Sequence, residues 1–448
     1  MIQTLSAYYR LPDSFLNATM EGALMPAKGF FAFGAETTCF GRTSLPSLVH
    51  KEPSELRDVL GHCSYSHSLY HFPFDIDETV NNLRLERYLD ISATPPSKTR
   101  LTHLLRTVYY LMRPMLPVHY RKHLQRFALR DWQQHTFPRW PVDVSIETIF
   151  ANTLRLALSS GEVDRIPFIW FWPDGHTSCA IMTHDVETAV GRDFCNTLMN
   201  IEAQFEITSS FEIIPEVRYE VSQEFLDSIR SRGHEICIHG LNHDGHLFDS
   251  KEIFLERVVR INEYGERFGA LGFRSPVMYR NVDWYDRFTF KYDMSIPNVG
   301  HLDPQRGGCC TVMPYFIENV LELPLTTIQD YPLYHILKKD TLDLWKEQAA
   351  TIMSRNGLIS FIIHPDYTVA EKEQTLYASL LEYLSMLRAQ RNVWIALPRD
   401  VYHWWSLRNK MRIAERNGKV EIMGEGRQRA RIAYALLDGD TVVYEIDR

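Results

Sequence analysis

The 448-residue chain contains no run of about 18 apolar residues, which excludes an ordinary membrane-spanning helix. Its start, Met1-Ile-Gln-Thr-Leu-Ser-Ala-Tyr-Tyr-Arg10, lacks a basic segment followed by an apolar one, so a cytoplasmic protein is expected. Cysteine is sparse. The seven thiols are odd in number and show no CxxC spacing, which fits reduced side chains better than a disulfide framework. Excess charge is small too, and a net −8 argues against a dedicated nucleic-acid binder. No internal repeat or low-complexity tract is present. What remains is an ordinary globular composition, 45% hydrophobic and 23% charged, enough for one large domain with appendages or for two to three domains.

Histidine is plentiful, at 18 residues. One stretch holds two of them in an informative context, Gly233-His-Glu-Ile-Cys-Ile-His-Gly-Leu-Asn-His243. Ile236 and Ile238 alternate with Glu235, Cys237 and His239, as in a strand with one face in a core. Gly240 allows a sharp turn, which leaves His239 at the strand end and His243 just beyond it. Two imidazoles four apart can share a metal ion, but roughly 0.7 such pairs arise by chance in a chain of this composition. His67/His71 and His119/His123 have the same spacing. His62, Cys63, His67 and His71 form a competing cluster, with His67 and His71 on one face if that stretch is helical. A plain aromatic-rich segment is the alternative there.

Residues 1–95 read as irregular structure with short strands. Lys98 to Arg130 carries eight Lys/Arg and no Asp or Glu, with Leu, Tyr and Met at helical spacing up to Pro114. This stretch is either a helix pair packed on a neighbour or a peripheral contact with an anionic membrane face. From about residue 165 to 405, strands alternate with helices. Strands are expected over 165–172, 178–182, 211–214, 235–239, 358–363 and 393–396. Helices are expected over 145–158, 222–231, 250–268, 284–288, 340–355 and 371–390. Such alternation predicts an α/β fold with a mostly parallel sheet or barrel, and Asp185, His239, Arg274 and His364 fall at strand ends. The last forty residues predict a small antiparallel unit with an Asp-Gly turn at 438–439.

Four separated motifs together resemble the polysaccharide deacetylase family, carbohydrate esterase family 4. Gly233 to His243 is similar to its GHEIxxHxxxH metal motif, and Ser178 to Glu187 to a strand ending in Thr-x-Asp. Phe273-Arg-Ser-Pro276 resembles its FRxP motif, and Phe361-Ile-Ile-His364 its final histidine motif. The resemblance spans about residues 165–405. It implies an irregular seven-stranded (β/α) barrel over 161–405 and says little about either end, where the residues themselves read as a mixed α/β extension over 1–160 and a small β appendage over 406–448. It further implies a divalent metal, zinc in the first instance, on His239 and His243. Asp185 would be the base, His364 the acid, and Arg274 the partner that keeps Asp185 ionised.

Two positions depart from the family. Val186 stands where consecutive aspartates place a metal ligand, so the carboxylate ligand is either Glu187 or Asp185. Residues two apart near a strand end share a face, which lets both carboxylates point inward. Val277 follows Arg-Ser-Pro where many relatives have tyrosine, and an oxyanion hole needs only its N–H. His184 reads as structural. Trp284 and Tyr279 read either as sugar-stacking or as packing residues, and Cys309-Cys310 as part of a flexible loop. The function implied is removal of N-acetyl groups from a glycan or glycan precursor. The rivals are an amidohydrolase of the same fold on a small non-sugar amide, and a non-catalytic carbohydrate-binding or scaffold protein.

Overall fold

In the computed structural model, which describes residues 1–35, 37–45, 56–90, 129, 132–416 and 419–447, the alternating segments build one curled sheet. The strands Ser178–Val186, Ser210–Ile213, Glu235–His239, Gly272–Arg274, Tyr292–Asp293 and Val320–Glu322 run parallel, each beside the next. Leu358–Ile362 pairs parallel on the other side of Ser178–Val186. The ring between its two ends is completed by residues 325–327 rather than by a ladder. Leu325 bridges Pro297, Thr327 N–H donates to the Ser360 carbonyl at 3.3 Å, and Ser360 N–H donates to Thr326 Oγ1 at 2.9 Å. The result is an α/β fold with an irregular barrel of seven parallel strands. Tyr315–Ile317 adds an antiparallel hairpin arm, and Val393–Ala396 pairs with the start of Ser178–Val186.

Strand alternation sorts the core into two layers. Outward-facing Ala180, Met182, Phe211, Ile213, Ile236, Ile238 and Phe273 pack against Leu198, Phe254, Ile261 and Leu380 of the surrounding helices. Inward-facing Cys179, Ile181, Cys237, Tyr292 and Leu358 fill the barrel instead. Each fully buried Leu, Ile or Phe contributes about 1.5–3 kcal/mol relative to exposure, so this double layer is the principal support of the site. Gly272 is required by one close approach, because a Cβ there would lie 2.1 Å from the Tyr292 ring.

The chain outside the barrel packs on the same interior core. Ile166–Ile169 is not a barrel strand; it pairs antiparallel with Ile432–Asp438, which pairs with Thr441–Ile446 across a two-residue Gly439-Asp440 turn. The helix Gln3–Tyr9 is held there as well, since Arg408 donates to the Tyr8 carbonyl at 2.8 Å. His67 and His71 share no helical face. His67 and Ser68 form the left-handed turn of a hairpin between Ser64–Ser66 and Leu69–Phe72, and His71 lies 3.7 Å from Glu21. The basic stretch 98–130 and the His119/His123 pair lie outside the described residues, Leu129 apart.

Three expectations need correction. The first barrel strand continues to Val186, so Asp185 belongs to its ladder rather than following its end. Instead of a helix over 284–288, a 3-10 segment runs over Val282–Arg287 and ends before Phe288. Cys309 and Cys310 are buried, with Cys309 N–H bonded to the Pro297 carbonyl at 2.9 Å, and are no flexible loop.

Candidate metal centre

Each candidate side chain reaches the C-terminal rim of the barrel for a local reason. In Ser178–Val186, Thr183 and Asp185 point inward while Val186 packs outward, and Glu187 follows one step beyond. His239 is the last residue of its strand and lies in register with Arg274, the last of the next. Gly240 turns the chain with φ +62, and a Cβ there would lie 2.4 Å from Pro276 Cγ. That contact locks the loop carrying His243 (φ +54) against the segment that follows Arg274. His364 lies two residues past Ile362, which is paired with Thr183, so it reaches the same rim beside Asp185.

Among the described residues, Glu187, His239 and His243 form the group whose donor atoms all lie within 4.8 Å of one another. His243 Nε2 is 2.9 Å from Glu187 Oε1. His239 Nδ1–H donates to the Arg274 carbonyl at 3.2 Å, which fixes the tautomer, and its Nε2 is buried without a hydrogen-bond partner. An orphaned imidazole lone pair facing a carboxylate and a second imidazole is what a divalent cation would satisfy. Two nitrogens and one oxygen are a donor set that suits a zinc-type site. Asp185 stands alongside, with Oδ2 3.7 Å from His239 Nε2, but its Oδ1 receives Arg274 Nη1 at 2.7 Å. Arg274 also donates to Thr183 Oγ1 at 2.8 Å and to the Met294 carbonyl at 3.1 Å, and lies 3.4 Å from Glu212.

Charge in this enclosure is strongly organised. Burial pushes the Asp185 carboxyl upward, but Arg274, His239 and His364 outweigh it and hold the group below the usual carboxylate range. Burial opposes ionisation of Glu187 too, and His243, His364 and His239 keep it well below its ordinary value. Burial lowers His239 to about 4, so its imidazole is neutral at pH 7. Burial also works against a charged His364, yet Asp330, Glu187 and Asp185 raise it to about 10. Asp330 explains most of that, with Oδ1 2.6 Å from His364 Nδ1 and Oδ2 accepting the His364 N–H at 2.7 Å. His364 Nε2 then faces Glu187 Oε1 at 3.8 Å and Asp185 Oδ2 at 4.0 Å.

The structure therefore gathers all six candidate residues, Asp185, Glu187, His239, His243, Arg274 and His364, at one rim. His62, Cys63, His67 and His71 form no such group among the described residues. His184 is buried and bonded to the Ile363 carbonyl and to Glu202 at 2.9 and 3.0 Å, outside the cluster. Trp284 is half-buried, stacked on Phe248 and tilted against Phe254 at the edge of the core, while Tyr279 borders a small cavity with His243, Asp244 and Pro276. Val277 and Met278 both have left-handed backbone, φ +62 and +56. For a β-branched residue this is strained by on the order of 1–3 kcal/mol.

Three residues escape a reading of the sequence. Asp330 carries no motif and follows strands too short to read. Glu212 sits inside an apolar strand, under Arg274. Asp366 stands in plain view in His364-Pro-Asp-Tyr367; its carboxylate receives the Glu187 N–H at 3.1 Å and the Thr188 hydroxyl, which fixes the start of the helix Ala189–Ala203 and the backbone of Glu187.

No family model matches the chain, and no curated protein matches it in sequence. Solved structures do show similarity. A protein from Mycobacterium smegmatis assigned as a polysaccharide deacetylase is 18% identical with a TM-score of 0.40, over 53% of this chain and 93% of that one. The allantoinase PuuE is 13% identical with a TM-score of 0.42, over 52% and 92%. The peptidoglycan deacetylase PdaC from Bacillus subtilis, in a mutant form, is 10% identical with a TM-score of 0.34, over 52% and 93%.

Proposed function

We propose that this protein is a metal-dependent amide hydrolase that removes N-acetyl groups from a glycan or glycan precursor, with residues 161–405 as the catalytic unit between an extension, 1–160, and an appendage, 406–448. The observation that carries the reading is the Glu187–His239–His243 donor group set between two charged pairs, Asp185–Arg274 and His364–Asp330. A divalent metal, zinc in the first instance, would be held by Glu187, His239 and His243, and when bound it polarises an acyl oxygen and acidifies water. Asp185, kept ionised by Arg274, takes the proton of the attacking water. His364, kept protonated by Asp330, donates a proton to the leaving amine nitrogen. Arg274 positions Asp185 and, through its carbonyl, sets the tautomer of His239. The motif resemblance adds the acetamide as substrate group.

A second reading, the same chemistry on a small non-sugar amide, draws on the closure of the site. Asp185, His239, His243 and His364 are buried, and of the carboxylate and imidazole groups only Glu187 is appreciably open, its side chain 18% exposed. Metal analysis of the purified protein, with acetate release from N-acetylated sugars and ammonia or urea release from small amides and ureides, separates the two. Metal-free protein, or metal retained in both His239→Ala and His243→Ala, would sink both readings. No helix among the described residues is long and apolar enough to cross a membrane. A cytoplasmic location belongs to the proposal, with residues 98–130 either packed on a neighbour or on an anionic membrane face. Sedimentation with anionic vesicles at low and high salt distinguishes these.

A further inference from the structure

A buried contact ties the first ninety residues to the site. Glu86 follows the helix Ile76–Arg84 and has a left-handed backbone, φ +55. Its carboxylate receives Arg280 Nε at 2.6 Å and also Arg280 Nη2. The two side chains are 6% and 1% exposed. Gly307 leaves the space they occupy, since a Cβ there would lie 2.4 Å from Glu86 Oε1. Arg280 Nη1 donates to the Met278 carbonyl at 2.8 Å, within the strained Val277–Met278 turn that follows Arg274-Ser-Pro276. Arg280 is also tied to the loop that carries Asp303: its N–H donates to Gln305 Oε1 at 2.9 Å, Gln305 Nε2 donates to its carbonyl at 3.2 Å, and the buried Asp303 accepts Gln329 Nε2 at 3.1 Å. Gln329 directly precedes Asp330, whose carboxylate holds His364.

We propose that Glu86 and Arg280 are positioning residues: one arm, through the Met278 carbonyl, sets the turn after Pro276, and the other, through Asp303 and Gln329, sets the Asp330–His364 pair. A buried ion pair is poorly explained by stability alone, because well-packed apolar side chains of similar volume are often as stable or more so. The bidentate geometry instead fixes direction as well as distance. It joins two walls of the rim to a segment outside the barrel, which makes the N-terminal extension a working part of the site. The proposal rests on the reading of His364 as proton donor.

The test uses the full-length, zinc-loaded protein carrying Glu86→Met and Arg280→Met together, which leaves neither charge buried alone. Acetate release from N-acetylglucosamine oligomers is one readout. The NMR resonance of His364 Nδ1–H, identified by its loss in His364→Gln, is the other. A fall in kcat of about 10- to 100-fold is expected, with KM and zinc affinity changed by less than roughly twofold, and with the His364 resonance shifted or broadened. A merely structural pair would leave that resonance where it is, and this result overturns the proposal. Gln329→Met keeps the ion pair and cuts only the arm to Asp330, so it must move the same resonance; it also decides the matter if the double variant does not fold. Should the unmutated protein release no acetate, the functional reading fails while the His364 resonance still tests the positioning role.

Discussion

Asp185 and Glu187 are two residues apart and chemically alike, yet their surroundings differ, and on the proposed reading that difference gives them different roles. Arg274 occupies one oxygen of Asp185, whereas Glu187 faces His243 and the orphaned Nε2 of His239. Asp185→Asn is therefore expected to lower turnover by about 10²–10⁴-fold while zinc stays bound. Glu187→Ala should release the metal. Metal content and single-turnover rates of the two variants check this, and the opposite pattern would exchange the roles. A second prediction concerns Glu147, which burial pushes up to about 7. Its Oε1 accepts Val312 N–H at 3.2 Å and the Thr311 hydroxyl, while Oε2 has no partner. A carboxyl raised in the folded state binds its proton more tightly there than in the unfolded chain. Its ionisation thus costs stability progressively between about pH 4.5 and 7, and fully above that. Glu147→Gln keeps the acceptor and removes the charge, so it should match the parent near pH 4 and exceed it at pH 8 by at most about 3 kcal/mol. Urea unfolding at both pH values measures the difference.

At the scale of elements, the site depends on loops being locked to one another where the strands end. Gly240 is the sharpest case, since it combines positive φ with Pro276 Cγ at 2.4 Å from where a Cβ would be. Gly240→Ala should lose about 2–4 kcal/mol of stability through left-handed strain and overpacking. Because His239 and His243 flank that turn, zinc affinity should fall as well. Calorimetric zinc titration of the folded variant reads this directly, and unchanged affinity would show that the turn does not set the ligand spacing. Some elements were hidden by composition. The helix Ala189–Ala203 buries Gly191, Cys195, Leu198, Met199 and Glu202, a helical period whose buried set includes a glycine and a glutamate. Hydropathy alone does not register such a face. The strands Tyr292–Asp293 and Val320–Glu322 are too short to show alternation.

At the scale of the whole molecule, both ends of the chain close over the same core. The C-terminal hairpin covers Ile166–Ile169, and Tyr9 and Tyr444 meet through their hydroxyls at 2.5 Å. Removing residues 430–448 would bare Phe168, Ile169 and the edge of the strand that carries them. The shortened protein is expected to lose the parent's cooperative thermal transition and to aggregate. Scanning calorimetry and size-exclusion chromatography check this, and an intact transition would make the hairpin a dispensable appendage.

The sequence by itself determined the α/β alternation, the Glu235–His239 strand to the residue, and all six side chains that meet at the rim. It could do so because strand period, glycine turns and closely spaced ligands are local properties. It left open which of Asp185 and Glu187 joins the histidines, since both lie on the same face. The tertiary structure adds what bears on that choice, placing Arg274, two intervening strands away in the sheet, against Asp185 and Glu187 against His243. Asp330 behind His364, Glu86 behind Arg280, and the pairing of Ile166–Ile169 with Ile432–Asp438 are likewise contacts between distant segments. Nothing local marks a lone buried carboxylate for its partner; burial and the charge it meets there give it a role.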